Sequence, residues 1–277
     1  MDLISVVLTV HPLQPKIERQ SMPQWWGRAA QMALLKAIAE LDEALAAKLH
    51  EDTGLRPYTT SSLMGRFPRK QLDPQGSYTL RFTGLTEAVS ETLLRAANEG
   101  AFSAGRTLEL DFFPFKVTAV HSSKEGHAWA GGSTFGELMS ALVGQENAPA
   151  RKFPFQLTSP LVFHSQEKTQ PLPLPDLFFG SLLEKWNAFA PMTMPAEVRR
   201  YAETMMAVSR FDLQSRAAQM KAGGLRVGAV GRVQFSALNS DRYWLGMLNT
   251  LAGFAQFAGV GAGTTQGLGQ AREISDF

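Results

Sequence analysis

The stretch "GVGAGTTQGLGQ", Gly259 to Gln270, decides among the folds open to this chain. Five of its twelve residues are glycine: Gly259, Gly261, Gly263, Gly267 and Gly269. Glycine at this density points to a backbone that turns sharply or comes close to a neighbour, commonly a phosphate. A P-loop requires GxxxxGK[ST] with its lysine, and this stretch contains no lysine. The dinucleotide fingerprint GxGxxG fails in both registers: its sixth position is Thr264 counted from Gly259 and Gln266 counted from Gly261. The preceding "DRYWLGMLNTLAGFAQFA" carries Trp244, Leu245, Leu248, Leu251, Ala252 and Ala255 at helical spacing, and the following "AREISDF" suffices for one short strand. A helix–loop–strand order leaves no later helix N-terminus to hold a pyrophosphate. A nucleoside triphosphate or NAD is therefore disfavoured, whereas a polynucleotide backbone is not.

Working outward, "AVSRFDLQSRAAQM" and "GGLRVGAVGRVQFSAL" read as strands, with Arg226 and Arg232 six apart and so on one face. "FPFQLTSPLVFHSQ" is strand-like. "PLPLPDLFFGSLLEKWNAF" is a proline-punctuated entry to a helix that Asp176 can cap, with Phe179, Leu182, Leu183, Trp186 and Ala190 along one side. The first half is more regular. "LISVVLTV" is a continuous buried strand. "QWWGRAAQMALLKAIAELDEALAAKLH" bears an apolar stripe through Trp26, Ala30, Leu34, Ile38, Leu41, Leu45 and Leu49, with Gly54 as a stop. "RPYTTSSLMG" and "SYTLRFTGL" are strands, "TEAVSETLLRAANEG" is a helix capped by Thr86 and ended by Gly100, and "RTLELDFFPFKVTAVHSS" is a strand or a strand pair. The order is βαββαβ, the ferredoxin-like unit. A boundary is expected near residues 130 to 150, at "AGGSTF" and "VGQENAPA", with "GELMSALV" a helix between them. The predicted fold is α+β: two tandem ferredoxin-like (RRM-like βαββαβ) domains, residues 1–135 and 136–277, the second ending in the glycine-rich loop.

Bulk properties limit the chemistry. The 277 residues are 44% hydrophobic, enough for a core, and no run of about 18 apolar residues predicts a membrane span. The opening "MDLISVVLTVHPLQP" has no basic n-region and reads as a strand, not a signal peptide, so the cytoplasm is the expected location. Cysteine is absent, which excludes disulfides, thiolate nucleophiles and Cys-ligated zinc. The histidines, His11, His50, His121, His127 and His164, show no metal-ligand spacing, and no metal site is read. Net charge is +2 with a pI of about 8.9, and arginine, whose planar fork suits phosphate and base stacking, outnumbers lysine.

Four stretches in order carry a family resemblance: "LHEDTGLRPYTTSSLMG", "FQLTSPLVFHSQ", "LPLPDLFFGSLLEKWN" and "LAGFAQFAGVGAGTTQGLGQ", together spanning residues 49 to 270. The chain resembles the CRISPR-associated endoribonucleases that cut precursor crRNA within each repeat, members of the repeat-associated mysterious protein (RAMP) superfamily. The resemblance implies metal-independent cleavage without a cofactor. The 2′-hydroxyl attacks the scissile phosphate, leaving a 2′,3′-cyclic phosphate and a 5′-hydroxyl. It implies CRISPR repeat RNA as partner, a CRISPR effector complex as recipient, no membrane, and a monomer or homodimer.

Such chemistry needs a proton acceptor, a proton donor and positive charge. His50, ending a helix and followed by Glu51 and Asp52, is the leading catalytic candidate. Arg56 stands where the family often has lysine and is assigned to the phosphorane's charge, the alternative being a pair with Asp52. Some members carry a tyrosine on the helix before the histidine; here Tyr58 is the tyrosine near the motif, and it also reads as a core aromatic. His11 and His164 are reserves. Candidate RNA-binding residues are Arg66, Arg69 and Lys70, Arg151 and Lys152, the Arg226/Arg232 pair, and the five loop glycines, which on the alternative reading only permit a tight turn. Two rivals remain. A non-catalytic RNA-binding RAMP protein would not depend on His50, and a small-molecule enzyme on a ferredoxin-like scaffold would need a closed apolar pocket.

Overall fold

The structure, a computed structural model, describes residues 1–13, 22–51, 53–143, 148–165, 168–220 and 224–277. Asp52, the stretch 144–147 within the expected boundary, Gln166 and Gly223 lie outside the described residues. The chain forms two compact units: Met1–Gly132 with Thr265–Gly267, and Ser133–Thr264 with Leu268–Phe277. The middle of the glycine-rich loop thus groups with the first unit.

In the first unit, β1 (Leu3–Pro12) is buried on both faces, as its continuous apolar run requires. Ile4, Val6, Leu8 and Val10 enter the main core, while Val7 packs with Trp129 and Ala130 on the other side. The predicted long helix folds as two, α1 (Gly27–Ala39) and α2 (Glu43–Glu51). The Asp42 carboxylate accepts the Leu45 N–H at 2.9 Å and starts the second helix, competing with continuation of the first. The expected strand at 56–65 reduces to β2 (Tyr58–Thr60), with bridges at Ser61 and Met64 beyond it. A short 3-10 turn, Pro68–Lys70, precedes β3 (Tyr78–Gly84). Next comes α3 (Glu87–Asn98), whose N-cap position is Thr86 but whose cap makes no side-chain hydrogen bond, contrary to expectation. The "strand or pair" is a pair, β4 (Thr107–Leu110) and β5 (Phe113–His121). Their turn residues, Asp111 (φ 44°) and Phe112 (φ 72°), have the positive φ signs of a type I′ hairpin. Strand order is β2-β3-β1-β5-β4, antiparallel throughout, with β6 (Gly131–Ser133) also pairing β1. Without the β4 extension this is the ferredoxin-like arrangement, the first strand lying between the third and the last.

The second unit opens with α4 (Phe135–Val143), then β7 (Lys152–Leu161) and a small hairpin, β8 (Phe163–Ser165) and β9 (Lys168–Gln170). The helix α5 (Pro175–Phe189) begins one residue before Asp176, so Leu174 holds the cap position; Asp176 lies in the first turn, where an acid still meets the positive end of the helix. After α6 (Glu197–Met205) come the long hairpin strands β10 (Met206–Gln219) and β11 (Leu225–Ala237), then α7 (Arg242–Ala258) and β12 (Ala271–Glu273). Strand order is β10-β11-β7-β12, the same ferredoxin-like arrangement, in which the inner strand is again the first. The inward residues of β7 and β11 are large and aromatic. Phe153, Phe155 and Phe235 interlock with Phe178 and Phe179 of α5, and buried Trp186 meets Phe135 and Phe254 edge-on. Among the described residues, no helix is long and apolar enough to cross a membrane.

Candidate functional site

The helix α2 presents its apolar side, ending in buried Leu49, to the first unit's core. One residue on, about 100° around the helix, His50 is exposed in the last turn. The Arg56 guanidinium returns to the end of this helix, and its Nη1 donates to the Leu49 carbonyl. A helix C-terminus leaves carbonyls without intrahelical partners, and a cation there satisfies hydrogen bonding and dipole together. The alternative suggested for Arg56, a pair with Asp52, falls on a residue outside the described ones.

The segment from His50 to Arg56 leads directly into β2. Tyr58 at its start is 1% exposed, and its hydroxyl accepts from Gln31 Nε2 at 3.1 Å. Burial raises its phenol above the ordinary tyrosine value, against smaller opposing effects of the Gln31 bond and the Arg56 charge. Tyr58 is thus built into the core. Tyr58→Phe is expected to cost about 1 kcal/mol of stability and to leave RNA cleavage within about twofold of wild type. A thermal melt and a single-turnover assay check this, and a large rate loss without destabilisation would return Tyr58 to the chemistry.

The glycine-rich loop turns repeatedly. Gly259, Gly261, Gly263, Gly267 and Gly269 all have φ between 59° and 89°. The need is greatest at Gly269, where a Cβ would lie 1.9 Å from the Val260 carbonyl oxygen, and at Gly261, where it would lie 2.3 Å from the Val162 carbonyl oxygen; at Gly267 it would lie 2.6 Å from the Ser62 nitrogen. Within the first unit, residues 265–267 run beside β2. Thr60 Oγ1 donates to the Thr265 carbonyl (2.9 Å), Trp25 Nε1 donates to the Gln266 carbonyl (2.7 Å), and Gly267 bridges Ser61 in parallel fashion. Gln266 Nε2 donates to Gln31 Oε1 (3.3 Å), so a chain of side-chain hydrogen bonds joins the loop through Gln31 to Tyr58. Trp25, Gln31, Thr60 and Gln266 escape the sequence reading because their partners lie far along the chain. Trp25 and Gln31 offer no signal beyond an ordinary helix entry.

The other candidates are dispersed. His11 Nδ1 lies 3.1 Å from Thr118 Oγ1 beside a β-bulge between β1 and β5, and exposed His164 lies opposite Thr169 in the β8/β9 hairpin. Arg66 is exposed, and exposed Arg69 and Lys70 occupy left-handed backbone (φ 50° and 60°) in the 3-10 turn. Exposed Arg151 donates to the Ala237 carbonyl, and Lys152, also exposed, opens β7. The β10/β11 ladder is in register from Asp212–Arg232 to Ala218–Arg226, so Arg226 and Arg232 do share a face. Arg226 donates to Thr169 Oγ1 (3.2 Å). Arg232 lies 3.8 Å from Asp212 in a surface pair and, with Arg210, over the Phe277 ring. Among the described residues, no group of three or more His, Asp or Glu side chains could hold a metal ion.

Lys185 was not singled out by its sequence context. It lies on α5 among buried Leu182, Leu183 and Trp186, and is itself 6% exposed. Its Nζ donates to the carbonyls of Ala258 (3.2 Å), Gly259 (2.9 Å) and Gly261 (3.2 Å), where α7 ends and the glycine-rich loop begins. Burial draws its pKa down to about 7, opposed by the Glu184 carboxylate. The available signal was a lysine embedded in an apolar helix stripe.

These features define an α+β protein of two ferredoxin-like units with a glycine-rich loop after the last helix. The family model for the CRISPR-associated endoribonuclease Cas6 matches residues 155–271. Comparison with curated protein sequences found no match. A Cas6 product complex, of a protein from Thermus thermophilus, superimposes with a TM-score of 0.79 at 28% identity, covering 98% of this chain and 99% of that one. A second Cas6 product complex gives 0.74 at 27%, covering 99% of each chain. A Cas6-related protein from Pyrococcus furiosus shares the fold at 10% identity, with a TM-score of 0.63 and coverage of 99% and 100%. The chain is thus similar to the CRISPR-associated endoribonuclease Cas6 family, by the family model over residues 155–271 and by fold over nearly its whole length.

Proposed function

We propose that this protein is a Cas6-type endoribonuclease that cuts precursor CRISPR RNA within its repeats by attack of the 2′-hydroxyl on the adjacent phosphate. No metal ion takes part, and the ends are a 2′,3′-cyclic phosphate and a 5′-hydroxyl. The carrying observation is the exposed His50 at the end of α2, on a segment clasped by Arg56 that leads into β2, along which residues 265–267 of the glycine-rich loop run. In this reading His50 moves the proton from the 2′-hydroxyl or to the 5′-oxygen, and the Arg56 charge faces the phosphorane. The glycine-rich loop lies against the RNA backbone. The surface arginines and lysines, half-buried Arg226 and exposed Arg232 foremost, track phosphates, which makes binding salt-dependent. The solved Cas6 product complexes support the RNA assignment by likeness.

The test is cleavage of the host's own repeat RNA in excess EDTA, beside the same RNA with one 2′-deoxy nucleotide at the cut. Full cleavage in EDTA, loss of cleavage with the deoxy substrate, and a cyclic phosphate on the 5′ fragment are expected. Cleavage of the deoxy substrate, or inhibition by EDTA that added metal relieves, would sink the proposed chemistry. Tight binding without any cleavage would favour the non-catalytic RAMP reading.

A further inference from the structure

Both backbone groups of Gly261 are held by α5. Its carbonyl accepts from Lys185 Nζ, and its N–H donates to Ser181 Oγ at 2.8 Å. Ser181 and Lys185 are four residues apart and so lie on one face of the helix. The next residue is fixed from the other side, Ala262 N–H donating to the Val162 carbonyl at 2.7 Å. Gly261 lies three residues past the end of α7 with φ 75°, so Lys185 reaches beyond the carbonyls that any helix end must satisfy. An ammonium has three hydrogens, and here three carbonyl oxygens receive them.

A lysine is an expensive way to fill this position. Burying an ammonium is costly unless every hydrogen is bonded, and an apolar side chain of equal length would pack at no such cost. What the apolar side chain lacks is a grip on the loop. We infer that Lys185 and Ser181 are positioning residues for RNA binding, holding the glycine-rich loop in its bound-ready path from the helix behind it. Neither touches RNA in this reading, which rests on the loop's proposed contact with the RNA backbone. A pre-ordered loop binds without an ordering cost, so the effect falls on affinity and not on the chemical step.

The test uses the full-length protein and a repeat RNA made uncleavable by a 2′-deoxy nucleotide at the cut. Lys185→Met, Ser181→Ala and the double variant are compared with wild type. Three quantities are read: affinity for that RNA, cleavage rate of the all-ribose RNA at saturating protein, and amide hydrogen exchange across residues 259–263. Lys185→Met is expected to weaken binding about tenfold or more and Ser181→Ala about threefold. Saturated cleavage should stay within about threefold of wild type, and exchange at 259–263 should accelerate while the interior amides of α7 stay protected. The double variant should be no weaker than the sum of the singles, since both side chains hold one residue. Unchanged affinity in a folded Lys185→Met would overturn the inference and reduce Lys185 to a helix-end cap. Equal loss of affinity and saturated rate, with faster exchange throughout the second unit, would overturn it too. If Lys185→Met fails to fold, Ser181→Ala carries the same comparison. Wild-type protein that does not bind repeat RNA at all would instead mark failure of the functional reading, and the exchange measurement would still report whether α5 orders the loop.

Discussion

Replacing His50 with alanine is expected to slow cleavage of repeat RNA by roughly two to four orders of magnitude, the usual contribution of a positioned acid or base. Affinity for an uncleavable repeat should change by less than about threefold, because the imidazole is one small exposed group. Folding should be nearly untouched, since His50 is exposed and its neighbour Leu49 makes the core contact. The measurement is a single-turnover time course in EDTA, wild type against His50→Ala, with a melt of each. A wild-type rate from His50→Ala would remove His50 from the mechanism and make His11 the next target. Arg56→Ala would not be as clean. Its guanidinium bonds the Leu49 carbonyl, so the loss of charge and the loss of a helix-end bond arrive together. A rate deficit there needs Arg56→Lys beside it, which keeps the charge but cannot reproduce the planar fork.

The second large effect is on stability. Gly269→Ala places a methyl group in left-handed backbone, at φ 63°, and 1.9 Å from the Val260 carbonyl oxygen. The Val260 N–H donates to the Gly269 carbonyl at 2.8 Å, so the two segments cannot separate without losing that bond. Left-handed strain alone costs about 1–2 kcal/mol, and the clash should raise the total to about 3 kcal/mol or more. Gly105→Ala is the internal control, with φ 90° but nothing within 4 Å of the new carbon. It should show only the backbone strain. A thermal melt of both variants decides: a Gly269→Ala drop no larger than that of Gly105→Ala would mean that packing around the loop is not as close as the structure has it. RNA affinity measured on whatever folded Gly269→Ala remains then shows whether the loop's path, and not only its stability, matters for binding.

The sequence by itself determined the parts whose cause is local. The continuous apolar run of β1, the helical stripes of α3, α5 and α7 and the strands of the β10/β11 hairpin are written in side-chain periodicity, which acts over a few residues. So are the positive φ values of the loop, because glycine at that density has few other uses. The failed nucleotide fingerprints were enough to turn attention from cofactors to a polynucleotide. The order of these elements sufficed for the ferredoxin-like pattern of both units. Some local competitions are not decided by periodicity: Asp42 starts a new helix within a continuous apolar stripe, and Thr86 holds a cap position without making the cap bond.

Tertiary structure decided what depends on partners distant in the chain. That the Arg56 guanidinium serves a helix end, that Tyr58 is sealed beneath Gln31, and that residues 265–267 join the first unit follow from chain segments brought together only by folding. The same is true of Lys185. In sequence it is one charge on an apolar helix face, and only the arrival of the α7 terminus supplies three carbonyls to make its burial tolerable. Hydrogen bonds act at about 3 Å and take no account of sequence separation. A polar residue whose partner is 70 or 200 positions away carries no periodic signature, and its role becomes visible only when the fold closes the distance.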